Sequence, residues 1–170
     1  MRWFCLLGIQ ICLCQILFAQ SEMVDQLTFK IPAGWSQQER QTLVSFSGTD
    51  AETNIPVEII VFKSQLAAPK LDSSFALEWQ RIFSAEYGKP PAPTARKRYS
   101  PNNLQYAENG LEMTRNNRPV YAQLYVFAEN KEVQSIQCII PDIKAFKTLK
   151  FFLANFLATV ESIKSPADSR

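Results

Sequence analysis

The chain has 170 residues, of which 46% are hydrophobic and 20% charged, with a formal net charge of +2. That is the balance of one globular domain; it excludes a disordered chain and any global field drawing the protein to nucleic acid. Histidine is absent, which removes the commonest general base, the Ser–His and Cys–His dyads and most zinc sites.

Residues 2–19 (RWFCLLGIQICLCQILFA) place one positive charge, Arg2, before an apolar stretch that ends at small Ala19, with polar Gln20-Ser21-Glu22 behind it. This is the pattern of a secretory signal peptide cut near Ala19. It predicts export to a periplasmic or extracellular location. The alternative is retention as an anchor helix, for which the stretch is barely long enough. Neither Cys12 nor Cys14 follows a small-residue box, so no lipidation is expected. Cleavage removes Cys5, Cys12 and Cys14 and leaves Cys138 alone. The mature chain then has no internal disulfide and depends on its core. The expected organisation is a signal peptide over 1–19, one domain over 20–165 and a frayed polar tail over 166–170.

In chain order, 27–31 (LTFKI) alternates as a short strand, and Pro32-Ala33-Gly34-Trp35 is a turn. Residues 42–47 alternate again. Residues 55–63 (IPVEIIVFK) are β-branched and read as a strong strand. The period then changes: Asp72 as N-cap, Phe75, Trp79, Ile82 and Phe83 at helical spacing, and Gly88 as C-cap predict a helix over 72–87.

Within 94–115, Asn109-Gly110 is either a two-residue hairpin turn or a glycine bulge in one long strand. Residues 111–115, 119–128 and 132–140 are strands. The first two are joined at Asn116-Asn117, with Arg115 opposite Arg118. A three-residue loop at Glu129-Asn130-Lys131 sets Ala122 opposite Cys138 and Leu124 opposite Ile136, aliphatic against aliphatic. Asp142 caps a final helix over 142–162, with Ile143, Phe146, Leu149, Leu153, Phe156, Leu157 and Val160 on one apolar face.

Both faces of the central strands are apolar. Val120, Ala122, Leu124 and Val126 oppose Tyr121, Tyr125 and Phe127; Val57, Ile59 and Val61 oppose Ile60 and Phe62. Both faces need covering, and two helices are available. The expected fold class is α+β: an antiparallel β-sheet sandwiched between helices, α/β/α.

The element order, with Phe29-Lys30-Ile31-Pro32-Ala33-Gly34-Trp35 closing the first strand, resembles the PsbP-like fold family of PsbP, DcrB-like and other exported bacterial proteins. The resemblance implies the α/β/α sandwich and a non-catalytic binding or assembly role. It carries over no ligand residues, since metal-binding histidines of some relatives have no counterpart.

Arg96-Lys97-Arg98 is the basic run, read as solvated surface. Arg115 and Arg118 join it in an anion patch only if the chain turns at Asn109-Gly110; if Ser100-Pro101-Asn102-Asn103 is instead a hairpin leading into one long strand, Arg96 lies opposite about Ala107 and Arg115 is about 26 Å further along. Glu108 and Glu112 have no third group to make them an acid–base pair. Cys138, alternating with Ile136 and Ile140, reads as a buried hydrophobe. Trp35 reads as packing under the sheet edge. Phe151 falls off the final helix's apolar face, beside Lys144 and Lys147.

The sequence therefore predicts a monomeric, exported, non-enzymatic binding or assembly protein. It has no catalytic, metal or cofactor residues and no nucleic-acid partner. Phe151, Lys144, Lys147, Arg115 and Arg118 are the candidate contacts to a protein partner or a membrane surface. The second reading is a carrier of a small apolar ligand held between sheet and helix, along the strip Tyr121, Tyr125 and Phe127. The first expectation is checked by mass spectrometry of the exported form, which should begin at Gln20 or Ser21; a membrane-held form beginning at Met1 contradicts it.

Overall fold

A computed structural model describes residues 20–163 apart from 89 and 130, without the side chains of 86 and 87. The expected signal peptide (1–19) and polar tail (166–170) lie outside the described residues.

The fold is α+β and its described strand pairs are all antiparallel. The strands are β1 (Gln20–Val24), β2 (Leu27–Ile31), β3 (Ser36–Arg40), β4 (Leu43–Thr49), β5 (Pro56–Phe62) and β6 (Gln65–Leu66). After helix α1 (Leu71–Tyr87) come β7 (Arg96–Tyr99), β8 (Gln105–Arg115), β9 (Arg118–Glu129) and β10 (Glu132–Ile140). Helices α2 (Ile143–Thr148) and α3 (Lys150–Ala158) and strand β11 (Glu161–Ser162) end the described chain.

The expected single sheet is in fact two. The larger runs β3-β4-β5-β10-β9-β8-β7, with β6 also on β10, and the smaller runs β1-β2-β11. The strand LTFKI belongs to the small sheet because its apolar residues pack downward onto the large one. Phe29 meets Phe46 of β4 and Phe156 of α3 edge-on, with ring centroids 5.7 and 6.0 Å apart. The sequence carries no signal for strands β1 and β3, and it offers β7 only as the first arm of the conditional hairpin at Ser100-Pro101-Asn102-Asn103. The residues of β3 and β7 are all exposed and charged or polar but for Tyr99, so they carry no apolar alternation.

The alternation of the central strands divides two cores. Ile60, Phe62, Ala122, Leu124, Val126 and Ile139 bury with Phe75, Trp79, Ile82 and Phe83 of α1. Val57, Ile59, Val61, Tyr125, Phe127, Ile136 and Cys138 bury with Leu149, Leu153, Phe156 and Leu157, together with Phe29 and Ile31 of the small sheet. Gln134 ties the small sheet to β10. Its amide nitrogen donates to the Val24 carbonyl at 2.8 Å and its amide oxygen accepts from the Gln26 N–H at 3.2 Å.

The β8–β9 hairpin has the expected register, with Arg115 opposite Arg118 and Met113 opposite Val120. Asn116 and Asn117 both adopt positive φ, 52° and 60°, as a tight hairpin turn requires. Of the two readings of Asn109-Gly110, the hairpin turn does not hold and the single long strand does, but without a bulge: β8 runs straight through with Gly110 opposite Gln123 and no break in register.

The β9–β10 register differs from expectation. Cys138 lies opposite Gln123, Leu124 opposite Gln137, and Glu132 opposite Glu129, across the two positions 130 and 131. Matching aliphatic to aliphatic misled because both faces are buried, so apolarity does not distinguish them. The turn decides instead, with Lys131 at φ 66°. Cys138 consequently faces the aromatic strip.

The helices also differ in detail. Lys70, not Asp72, is the N-cap of α1, and it makes no side-chain capping bond. Asp72 instead pairs with Lys97 of β7 at 2.7 Å. Gly88 closes α1 as expected, with φ 78° and its N–H on the Ser84 carbonyl. Asp142 does cap the C-terminal segment, accepting from the Ala145 N–H at 2.7 Å. That segment is not one helix to 162. It is interrupted at Leu149, one residue after the Thr148 hydroxyl bonds back to the Lys144 carbonyl, a bond that bends helices. It ends at Ala158, and β11 then joins β2.

The Pro-Ala-Gly-Trp turn has Gly34 at φ 82°, the left-handed region glycine favours. It lays Trp35 over β4, stacked on Phe152 at 5.8 Å. A Cβ on Gly48 would lie 2.4 Å from the Trp35 ring. Gly48→Ala should therefore lift that ring and cost about 1–3 kcal/mol, read as a lower melting temperature; an unchanged melt would mean that Trp35 does not seal this edge.

Candidate binding cleft

The extended β8 and its neighbours form one wall of a cleft of about 520 Å³, and the C-terminal helices form the other. The period-2 alternation of strands decides which residues face it. Arg96 and Arg98 come from β7; Tyr106, Glu108 and Gly110 from β8; Tyr121, Gln123 and Tyr125 from β9. Phe146, Lys150, Leu153, Ala154 and Leu157 face them from α2 and α3. Lys97, between the two arginines, points to the opposite face, where it meets Asp72 of α1.

Gly110 shapes this space. The position its Cβ would take is 1.9 Å from the Tyr121 hydroxyl and 2.5 Å from the Gln123 amide oxygen. Without a side chain there, Tyr121 lies across β8, donates its hydroxyl to Gln123 Oε1 at 3.1 Å and tilts against Phe146 with ring centroids 4.6 Å apart. Tyr106 packs between Tyr125 and Phe127 at 5.9 and 5.5 Å. Tyr125 and Phe127 are buried and Tyr121 is half-buried.

The charges are arranged as a pair and two further cations. Arg98 Nε donates to Glu108 Oε1 at 2.5 Å; that bond, and the attraction behind it, raise the guanidinium's pKa. Arg96 and Lys150 are exposed and make no ion pair among the described residues. Burial raises the phenol pKa of Tyr106 and Tyr121 and lifts that of Tyr125 well above its ordinary value. All three stay neutral, hydrogen-bonding phenols at physiological pH.

The sequence candidates fall elsewhere. Phe151 is 65% exposed, off the apolar face as expected, and Lys144 and Lys147 are exposed with it. Arg115 is bonded to Glu58 of β5. Arg115 and Arg118 line a separate, open groove of about 710 Å³, to which Phe151, Lys144 and Lys147 contribute nothing. The structure thus does not gather these candidates into one site. Arg96 stands opposite Glu108, one residue from the expected Ala107. Glu108 and Glu112 sit four residues apart on a straight strand, about 13 Å, rather than across a turn. Cys138 is fully buried, and burial pushes its thiol up to about 12.

The sequence points to Tyr121 and Tyr125 and, separately, to the basic run, but not to Lys150 or to the meeting of Arg96 and Arg98 with the aromatic strip. The signal was there: Arg96 and Arg98, two apart, share one face if 96–99 pairs as a strand. Reading the run as uniform surface discarded it.

No protein-family model matches the chain, and no curated protein matches it. Solved structures do. Cyanobacterial PsbP (CyanoP) from Synechocystis aligns with a TM-score of 0.55 at 10% identity, over 88% of this chain and 96% of that one. The fold is PsbP-like. LpqN of Mycobacterium tuberculosis, described as involved in cell envelope biogenesis, aligns with a TM-score of 0.53 at 10% identity, over 81% of this chain and 83% of its own. A protein of Bacteroides thetaiotaomicron aligns with a TM-score of 0.55 at 10% identity, over 86% of this chain. The chain spans about half of that protein's length. At such identities the likeness is one of fold alone.

The buried thiol and phenols set an alkaline limit. Below about pH 9 they are protonated in both states. Above it, the unfolded chain releases its thiol proton, then its phenol protons near pH 10, while the folded chain keeps Cys138 protonated to about pH 12 and Tyr125 well past its ordinary value. The native state then binds more protons, so stability falls as pH rises. The urea midpoint should drop from about pH 9 upward, and Cys138→Ala and Tyr125→Phe should each flatten that drop.

Proposed function

We propose that the protein is an exported, non-enzymatic binding protein that holds a small molecule in the cleft between β7–β9 and α2–α3. The observation that carries this reading is the cleft itself. Its volume of about 520 Å³ falls in the range of ligand pockets, and it has an aromatic wall and a few convergent polar groups. This favours the carrier reading over the partner-assembly reading, with the difference that the cleft is rimmed by charge rather than wholly apolar.

The non-enzymatic part rests on chemistry. Glu108 is engaged by Arg98, Cys138 is a buried neutral thiol, and there is no histidine to activate a nucleophile. Export rests on the N-terminal pattern. A layered α/β/α arrangement and kinship with the PsbP-like family agree with the two cores and the fold likeness. The assembly reading keeps one observation in its favour, exposed Phe151 beside Lys147. Such a residue suits an anchor to a protein or a membrane surface.

Native mass spectrometry of the protein purified from its own envelope tests the choice. A carrier should show a non-covalent adduct of a few hundred daltons that is lost in Ala154→Trp, which fills the cleft from an exposed helix position. No adduct, together with a stoichiometric protein partner lost in Phe151→Ala, would favour assembly instead.

A further inference from the structure

We infer that the cleft selects an anion with an aromatic body; this rests on the reading of the cleft as a ligand site. Its one carboxylate, Glu108, is bonded to Arg98. The amide oxygen of Gln123 accepts the Tyr121 hydroxyl, which leaves the amide nitrogen of Gln123, a residue only 5% exposed, as an open donor. Tyr125, 2% exposed, lines the cleft and makes no hydrogen bond among the described residues.

Arg96 from the strand and Lys150 from the helix both line the cleft, and neither makes an ion pair among the described residues. The open side-chain groups are thus two cations, an amide donor and phenol hydroxyls that can donate. Asn109 gives its amide oxygen to the Gly110 N–H, and the described lining sets three cations, Arg96, Arg98 and Lys150, against the single carboxylate of Glu108, so the charge facing a ligand is net positive. A ligand that satisfied this set would bring acceptors and negative charge. A ligand without acceptors would leave the buried Gln123 amide and Tyr125 hydroxyl unmet, which is costly, and a cationic one would meet the like charges of Arg96 and Lys150.

The body follows from the walls. Tyr106, Tyr121, Tyr125 and Phe146 present ring faces and edges, and Leu153 and Leu157 close the floor. Aromatic rings gain from offset and edge-on contact with other rings beyond the area they bury. The head would sit between Arg96 and Lys150 at the mouth, and the ring system would lie over Tyr121 and Tyr125.

Two fluorescent probes with the same ring system separate charge from shape: anilinonaphthalene sulfonate, an anion, and phenyl naphthylamine, which is neutral. The sulfonate should bind at one site about tenfold more tightly than the neutral probe at low salt, and the advantage should shrink as salt is added. The double variant Arg96→Ala/Lys150→Ala should erase the advantage and leave the neutral probe's affinity unchanged. Both positions are exposed, so the melting temperature should hold. Equal binding of the two probes, or a double variant that keeps the advantage, overturns the anion inference while the cleft reading stands. Ala154→Trp should abolish both probes. If it abolishes neither, or if the unaltered protein binds neither, the cleft reading falls and the inference with it.

Discussion

The structure depends on one constraint: the central strands β5, β9 and β10 are apolar on both faces. Ile59 and Ile60, Leu124 and Tyr125, and Ile139 and Ile140 are successive residues that point in opposite directions, and all are buried. Neither face can be left to water. On one side the 17-residue helix α1 packs Phe75, Trp79 and Phe83 against the sheet. The other side is harder. Helices α2 and α3 have six and nine residues, so end to end they reach about 22 Å. Seven strands in order span about 29 Å. The helices alone cannot cover that width.

The shortfall is met at one side of the sheet and left at the other. Over β4 and β5 the small sheet supplies Phe29 and Ile31, held down by Gln134. Over β7 and β8 no such layer is present among the described residues, and the space between Tyr106, Tyr121 and Lys150 is the cleft. Gly110 shapes it from below, because a side chain there would displace Tyr121 from its place against Phe146. The cleft is therefore a consequence of covering a wide sheet with short pieces, and the residues lining it are those that alternation turns toward the gap.

Much of this was legible in the residues. The strong strands, α1 with its glycine cap, Asp142 as a cap, the β8–β9 register, burial of Cys138 and exposure of Phe151 all follow from local patterns. Each has one dominant signal, such as paired asparagines or a helical period. What was not legible needed tertiary information. The β9–β10 register could not be read from apolarity, because a one-residue slip exchanges two faces that are both buried. β3 and β7 are edge strands made of polar and charged residues, and edge strands lack the alternation that betrays half-buried ones. Their charges guard the sheet against pairing with other chains. The same polarity left β7 conditional on a hairpin at Ser100-Pro101-Asn102-Asn103, and its arginines looked like ordinary surface.

The short strand β7 shows how fold and site share residues. Alternation within Arg96-Lys97-Arg98 sends Lys97 to Asp72 on α1 and both arginines to the cleft. The first contact adds an exposed ion pair to the helix that covers the opposite face, while the ladder to β8 holds the arginines in register. Arg98 is then occupied by Glu108, whose carboxylate would otherwise repel an anion. Arg96 has no such partner among the described residues. A slip of one residue would turn Lys97 into the cleft and both arginines toward α1, leaving one cation where two now face Lys150. The positive charge at the mouth is thus a property of strand register as much as of composition. It depends on the ladder that β7 makes with β8.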